Sequence, residues 1–298
     1  MAPPRKSRTA AAPARRQQDA PARSRARERI QAQQAASRRA GVRRRLLIAA
    51  GSVTAVLAAA GALVAVRLTS GSPSAASSEA AAPAAVTRAA TTVPAGVLAR
   101  ASAGPSVVAP EPVRAAGAPL TVGGKPAIVF VSEESCPFCA AERWALVVAL
   151  SRFGTWSHLG VTTSSATDIY PGTATFSFRA ARYRSAQLTL RTTELADNAG
   201  RPLQPLTSLD NRLLGAYDIP PYVNSASQSG AVPFLDIANR YVLAGAQYDP
   251  QVLAGLSVTQ IASQLRDPAS PVAQAVDGSA RLIVAAIRSV LDGAPARG

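Results

Sequence analysis

The C-terminal half of this 298-residue chain predicts an α/β fold, on three observations. A short apolar, β-branched run at 127–131 leads through Ser132-Glu133-Glu134-Ser135 into a stretch of helix-forming composition at 140–153. Segments 230–237 and 239–245 hold two further apolar runs around Ala238-Asn239-Arg240 and read as a β-hairpin, with Pro233 at the entry where a missing N–H is tolerated. Residues 256–265 and 278–291 then carry apolar side chains at helical spacing, the second through Leu282, Ile283, Ala286 and Val290. Strand–helix followed by hairpin–helix is an α/β order.

Ahead of that domain the composition changes twice. Residues 1–45 hold fourteen Arg or Lys against two acids, Asp19 and Glu28, so twelve of the chain's fifteen net positive charges lie there. Rich in Ala, Pro and Gln and nearly free of aromatics, this stretch cannot bury a core and reads as a disordered cytoplasmic tail. Residues 46–66, LLIAAGSVTAVLAAAGALVAV, are uncharged and apolar, about 30 Å as a helix and long enough to cross a bilayer core. Arg43-Arg44-Arg45 precedes this candidate transmembrane helix and only Arg67 follows at once, so the positive-inside bias puts the N-terminus in the cytoplasm and the rest outside a cell membrane.

A cleaved signal peptide is the competing view, but both the basic region and the apolar core are too long for one. The tail's charge serves topology and attraction to anionic membrane lipids; nucleic acid is the weaker partner, because recognition needs more than charge. Residues 67–119 are dominated by Ser, Ala, Pro and Gly, without aromatics or periodicity, and predict a flexible stalk. Residues 120–292 are enough for one domain with a full core, and 293–298 read as a disordered C-terminus.

Within the domain, Trp144, Leu146, Val147, Leu150 and Phe153 give the first helix its packing face, and Gly154 ends it. Residues 159–163 predict a second strand and 187–194 a third. Between them Ile169-Tyr170-Pro171-Gly172 marks a turn, and residues 175–178 with Tyr183 read as aromatic surface. A short helix is predicted over 208–217.

Cys136-Pro137-Phe138-Cys139 contains both cysteines of the chain. Random placement gives that spacing roughly once in 150, so it reads as a redox dithiol. At a helix start the first N–H groups lack partners, and a thiolate there is stabilised by those donors and by the helix dipole. Cys136 is therefore expected to be the more acidic thiol, and the thiolate is the species that attacks a disulfide. Pro137 suits the first turn, and Cys139, one turn on, is close enough to resolve a mixed disulfide. A zinc site wants four ligands, or three and a water, where the chain offers two cysteines and His158. Haem attachment needs His where Ala140 stands. The remaining alternative is a fixed structural disulfide, or a relic pair on a fold that now only binds a partner.

The CxxC after a strand and the Val232-Pro233 pair before a hairpin resemble the thioredoxin family. There the CxxC opens the first long helix, and a proline, usually cis, enters the later hairpin beside the disulfide. The resemblance implies a thioredoxin-like domain with Cys136 as attacking thiol, Cys139 as resolving thiol and the backbone of Val232, with Pro233, as the substrate-docking edge. It implies no cofactor beyond the dithiol. The CPFC form is closer to glutaredoxins and DsbA-like oxidases than to the CGPC of thioredoxin. More narrowly, LGAYDIPPYV, VPFLDIANRYVLAGAQYDP and LAGLSVTQIASQL resemble a prokaryotic family of membrane-anchored, thioredoxin-like proteins catalogued as a domain of unknown function, over roughly residues 115–292.

Several positions depart from the better-known oxidoreductases. Ser135 stands where thioredoxins have Trp, and the strand before the dithiol offers no buried acid. Glu133 and Glu134 would raise a neighbouring thiol's pKa. Glu142 is expected on the helix surface, and His158 on the surface or in packing. Cys139 and Pro233 are further apart than in a minimal thioredoxin domain, which requires a long insertion between the CxxC helix and the hairpin. The sequence thus predicts a membrane-anchored thiol–disulfide oxidoreductase acting on protein thiols or disulfides, with a membrane redox partner. The alternative is a non-enzymatic envelope module that binds a partner and keeps a structural disulfide.

Overall fold

The structure, a computed structural model, describes residues 80–293 apart from 102, 105, 115–116 and 224–228. In chain order the elements are β1 (Ala80–Ala81), α1 (Ala84–Thr91), α2 (Ala95–Arg100), β2 (Glu111–Pro112), β3 (Thr121–Val122), β4 (Lys125–Ser132) and α3 (Pro137–Leu150). There follow β5 (Thr155–Ser157), β6 (Gly160–Thr163), β7 (Ala174–Ser177), β8 (Arg182–Arg184), β9 (Thr189–Glu194) and α4 (Ser208–Tyr217). The chain closes with β10 (Phe234–Ile237), β11 (Tyr241–Ala244), a 3₁₀ turn (Pro250–Leu253), α5 (Val258–Gln264) and α6 (Pro271–Leu291). It is a mixed α/β arrangement. The basic tail and the predicted span 46–66 lie outside the described residues, and among the described residues no helix is long and apolar enough to cross a membrane.

β4 is the axis of the main sheet. It pairs in parallel with β9, reached through α3, and antiparallel with β10, whose hairpin partner β11 is followed outward by β2. Successive strand side chains point to opposite faces, and here both faces are covered. Ile128 and Phe130 enter a large apolar cluster with α3 and α6, while Val129 and Val131 join Phe234, Val242 and Leu213 of α4 on the other side. Burial on both faces is why β4 reads as a continuous apolar run rather than an alternating one.

The insertion between α3 and β9 builds β5 to β8. The expected second strand is β6, but it pairs with β1 and β7 in a separate three-stranded sheet. Two expectations are corrected here. Residues 175–178 are not aromatic surface: Phe176 packs on Trp144 with ring centroids 4.5 Å apart, and Phe178 meets Phe130 edge-on at 6.0 Å. Nor is the whole of 67–119 a loose stalk. Val86, Ala90, Val93, Val97 and Leu98 of the α1–α2 segment are buried in the main cluster. They lie in and between two short helices that each begin behind a proline, Pro83 and Pro94, and their apolar side chains are hidden in an alanine-rich composition.

Local signals set several boundaries. α4 begins with a reciprocal capping box between Thr207 and Asp210. α6 starts at Pro271 behind the Ser270 cap, a turn or two before the predicted Gly278. Gly154 follows α3 where a Cβ would run into the Arg184 carbonyl and the Tyr183 ring.

Candidate functional site

The dithiol sits where β4 gives way to α3. Cys136 is the N-cap residue, extended at φ −82° and ψ 122°, and its Sγ accepts the Cys139 N–H at 3.3 Å. Pro137 opens the helix without wasting a donor. Both cysteines carry thiols in this structure. Cys136 is 8 % exposed and Cys139 fully buried, so only the first presents an edge to solvent.

The long-range partner comes from the hairpin entry. The Cys136 thiol lies 3.7 Å from the Val232 carbonyl oxygen, and the Val232–Pro233 bond is cis. All four residues singled out from the sequence, Cys136, Cys139, Val232 and Pro233, therefore meet at one end of the main sheet. The insertion closes another side. Ser165 donates its N–H to the Ser135 carbonyl at 2.8 Å, and Tyr170 meets the ring of Phe138, which is 39 % exposed, edge-on at 6.1 Å. His158 is exposed in the turn between β5 and β6.

The two sulfurs differ chemically. The Cys139 thiol, donating to Cys136, and the N–H groups of Cys139 and Phe138 hold the Cys136 pKa below that of an ordinary thiol, against the effects of burial and Glu133. Burial pushes Cys139 far upward, and its hydrogen bond to Cys136 and the charge there push it further. This is the asymmetry expected of an attacking and a resolving thiol.

Beneath the dithiol lies an ionic network that sequence reasoning missed. Arg143 forks onto Glu194 through Nε–Oε1 at 3.1 Å and Nη2–Oε2 at 2.6 Å, with both side chains essentially inaccessible. Glu134 is also buried; Ser177 donates to it and Arg179 stands 4.0 Å away, yet desolvation raises its pKa. A partial sequence signal for this was present. The run WALVVAL marks the second half of α3 as broadly apolar and so largely buried, which points to burial for this helix without by itself placing Glu142 and Arg143 inside.

Glu142 is accordingly a correction: it is fully buried rather than on the helix surface, with Oε2 accepting the Gln247 N–H at 3.1 Å and Oε1 unpartnered. Burial pushes its pKa from 4.5 to about 8. Because the folded pKa is raised, the folded state holds the proton that the unfolded state has lost, so stability is lost as pH rises from about 4.5 to about 8. Glu142→Gln keeps the oxygen acceptor for Gln247 and removes the titration. It is expected to leave stability unchanged at pH 4 and to raise it by on the order of 2–4 kcal/mol at pH 9, as read from urea unfolding at the two pH values.

Comparison with curated proteins and with solved structures gives no match. The sequence model described as "Domain of unknown function (DUF929)" matches residues 111–289, which take in the dithiol, the insertion, the cis-proline hairpin and most of α6. The chain belongs to that family of uncharacterised proteins.

Proposed function

We propose that the domain is a thioredoxin-like thiol–disulfide oxidoreductase, tethered through residues 46–66 with its dithiol outside the cell membrane. The observation that carries this reading is the inequality of the two thiols: a Cys136 sulfur with lowered pKa at a helix N-cap, backed by a buried Cys139 of strongly raised pKa. The sheet order β9–β4–β10–β11, with a parallel β4–α3–β9 unit and a cis-Pro before the hairpin, favours the thioredoxin-like assignment. The extracytoplasmic placement follows from the charge bias around 46–66 and suits a compartment where disulfides persist.

In the reductive direction the Cys136 thiolate attacks one sulfur of a substrate disulfide; that S–S bond breaks and its electron pair leaves on the other substrate sulfur. Cys139 then gives up its proton and attacks Cys136 Sγ. The Cys136–Cys139 bond forms, the mixed disulfide breaks, and the second substrate sulfur departs as a thiolate that takes up a proton. Two electrons pass from the dithiol to the substrate. Oxidation runs the same steps backwards, and a membrane redox partner resets the pair. The Val232 backbone, beside Cys136, is the docking edge for the substrate chain.

The low exposure of Cys136 favours a second reading, in which the domain binds a partner and the cysteines form a fixed bridge. Limited alkylation of the reduced protein across pH, with peptide mapping, combined with equilibration in glutathione buffers, separates the two. The oxidoreductase is expected to be alkylated first at Cys136, with an apparent pKa below about 8.5, and to oxidise and reduce reversibly. Thiols that react only after unfolding, or a bridge that glutathione cannot open, would leave the binding module.

A further inference from the structure

We propose that Arg143 is a positioning residue for the second half of the exchange, its buried charge favouring the ionised Cys139 sulfur that resolves the mixed disulfide; this rests on the oxidoreductase reading above. Arg143 follows Cys139 by four residues on α3, so the two side chains lie on the same helix face one turn apart. The guanidinium is fully buried, and two of its nitrogens are committed: Nε and Nη2 to Glu194, with Nη2 also 3.4 Å from Ser132 Oγ. Nη1 is buried with no hydrogen-bond partner. A structural ion pair gains nothing from an unsatisfied buried donor, which costs stability wherever it occurs. The buried guanidinium charge, one helix turn from Cys139, lowers the cost of an ionised sulfur there, and that sulfur is charged only in mid-reaction.

The cycle itself says when the charge is needed. At rest Cys139 is held protonated by burial, by its hydrogen bond to Cys136 and by the charge on Cys136, with Arg143 acting in the opposite direction. Once Cys136 Sγ is bonded to substrate sulfur it carries no charge, so that repulsion disappears and burial is opposed by Arg143. Cys139 then gives up its proton and attacks Cys136 Sγ, and the departing substrate thiolate takes up a proton, so that the step balances.

Ellman's reagent reads the two halves separately in stopped flow, because Cys136 attack releases the first aryl thiolate and Cys139 resolution releases the second. The Arg143→Met, Glu194→Met double variant removes the pair without stranding either charge. Its second release is expected to be about three- to tenfold slower than wild type, since one such charge interaction changes the thiolate population by one to two powers of ten and about half of that returns as intrinsic nucleophilicity. The first release should stay within about 1.5-fold. Arg143→Lys, which keeps charge and partner, should recover the second release to within about 1.5-fold. A double variant with wild-type second release, or with both releases slowed together, overturns the inference, as does a lysine variant no faster than the double variant. If wild type releases no aryl thiolate unless unfolded, the oxidoreductase reading falls, and this inference with it.

Discussion

Cys136→Ser is expected to lower disulfide exchange by three orders of magnitude or more, on the order of what loss of a covalent nucleophile does in other enzymes. A serine hydroxyl does not ionise near neutrality, so the N-cap donors that favour an ionised Cys136 sulfur would have no anion to stabilise. Cys139→Ser should behave differently. The first attack survives, although the Cys136 pKa rises somewhat because its strongest influence is the Cys139 thiol; what is lost is the escape route. The protein should accumulate as a mixed disulfide through Cys136, visible as a mass increase equal to the substrate thiol and reversed by dithiothreitol. Insulin reduction and intact-protein mass spectrometry on the two variants read both effects. Wild-type turnover in Cys136→Ser would defeat the enzyme reading outright.

Arg143→Met is expected to be the most damaging single substitution for stability, costing about 3–5 kcal/mol in urea unfolding. It removes the cation from a fully buried pair and leaves the Glu194 carboxylate inside the protein, with neither water nor guanidinium to compensate it. Replacing Glu194 by Met as well should recover most of that loss, to within about 2 kcal/mol of wild type, because a well-packed apolar pair avoids the desolvation penalty altogether. The non-additivity is the diagnostic result. If the single and double variants are equally unstable, the cost lies in packing around α3 and not in a stranded charge. The same double variant thus supports two independent readouts, stability here and the resolving step above.

Elements with strong local signatures were legible in the sequence. The helix Ser208–Tyr217 is bounded by its capping box, and the hairpin Phe234–Ile237 with Tyr241–Ala244 turns at Ala238 and Asn239, both at positive φ. Where local signs were faint, tertiary packing decided. β7 is four residues long, and its aromatic residue is buried because Trp144 of α3 lies against it. α1 and α2 are short helices that gain stability from burial against the domain rather than from propensity; their small apolar residues are hard to tell from those of a low-complexity linker. Glu142 illustrates the same limit in one residue, since carboxylates on helices are usually solvated and only the surfaces packed against α3 exclude water from this one.

The chain's own order determined the dithiol: two cysteines one turn apart, a proline between them, a strand before and a helix after, all set by neighbours within thirty residues. What lies around the sulfurs was decided only by folding. The Val232 carbonyl reaches Cys136 from 96 positions away, and the Arg143–Glu194 pair joins residues 51 apart beneath Cys139. Desolvation and Coulomb interactions depend on distance through space and on which groups have lost water, and neither quantity exists until the chain has packed.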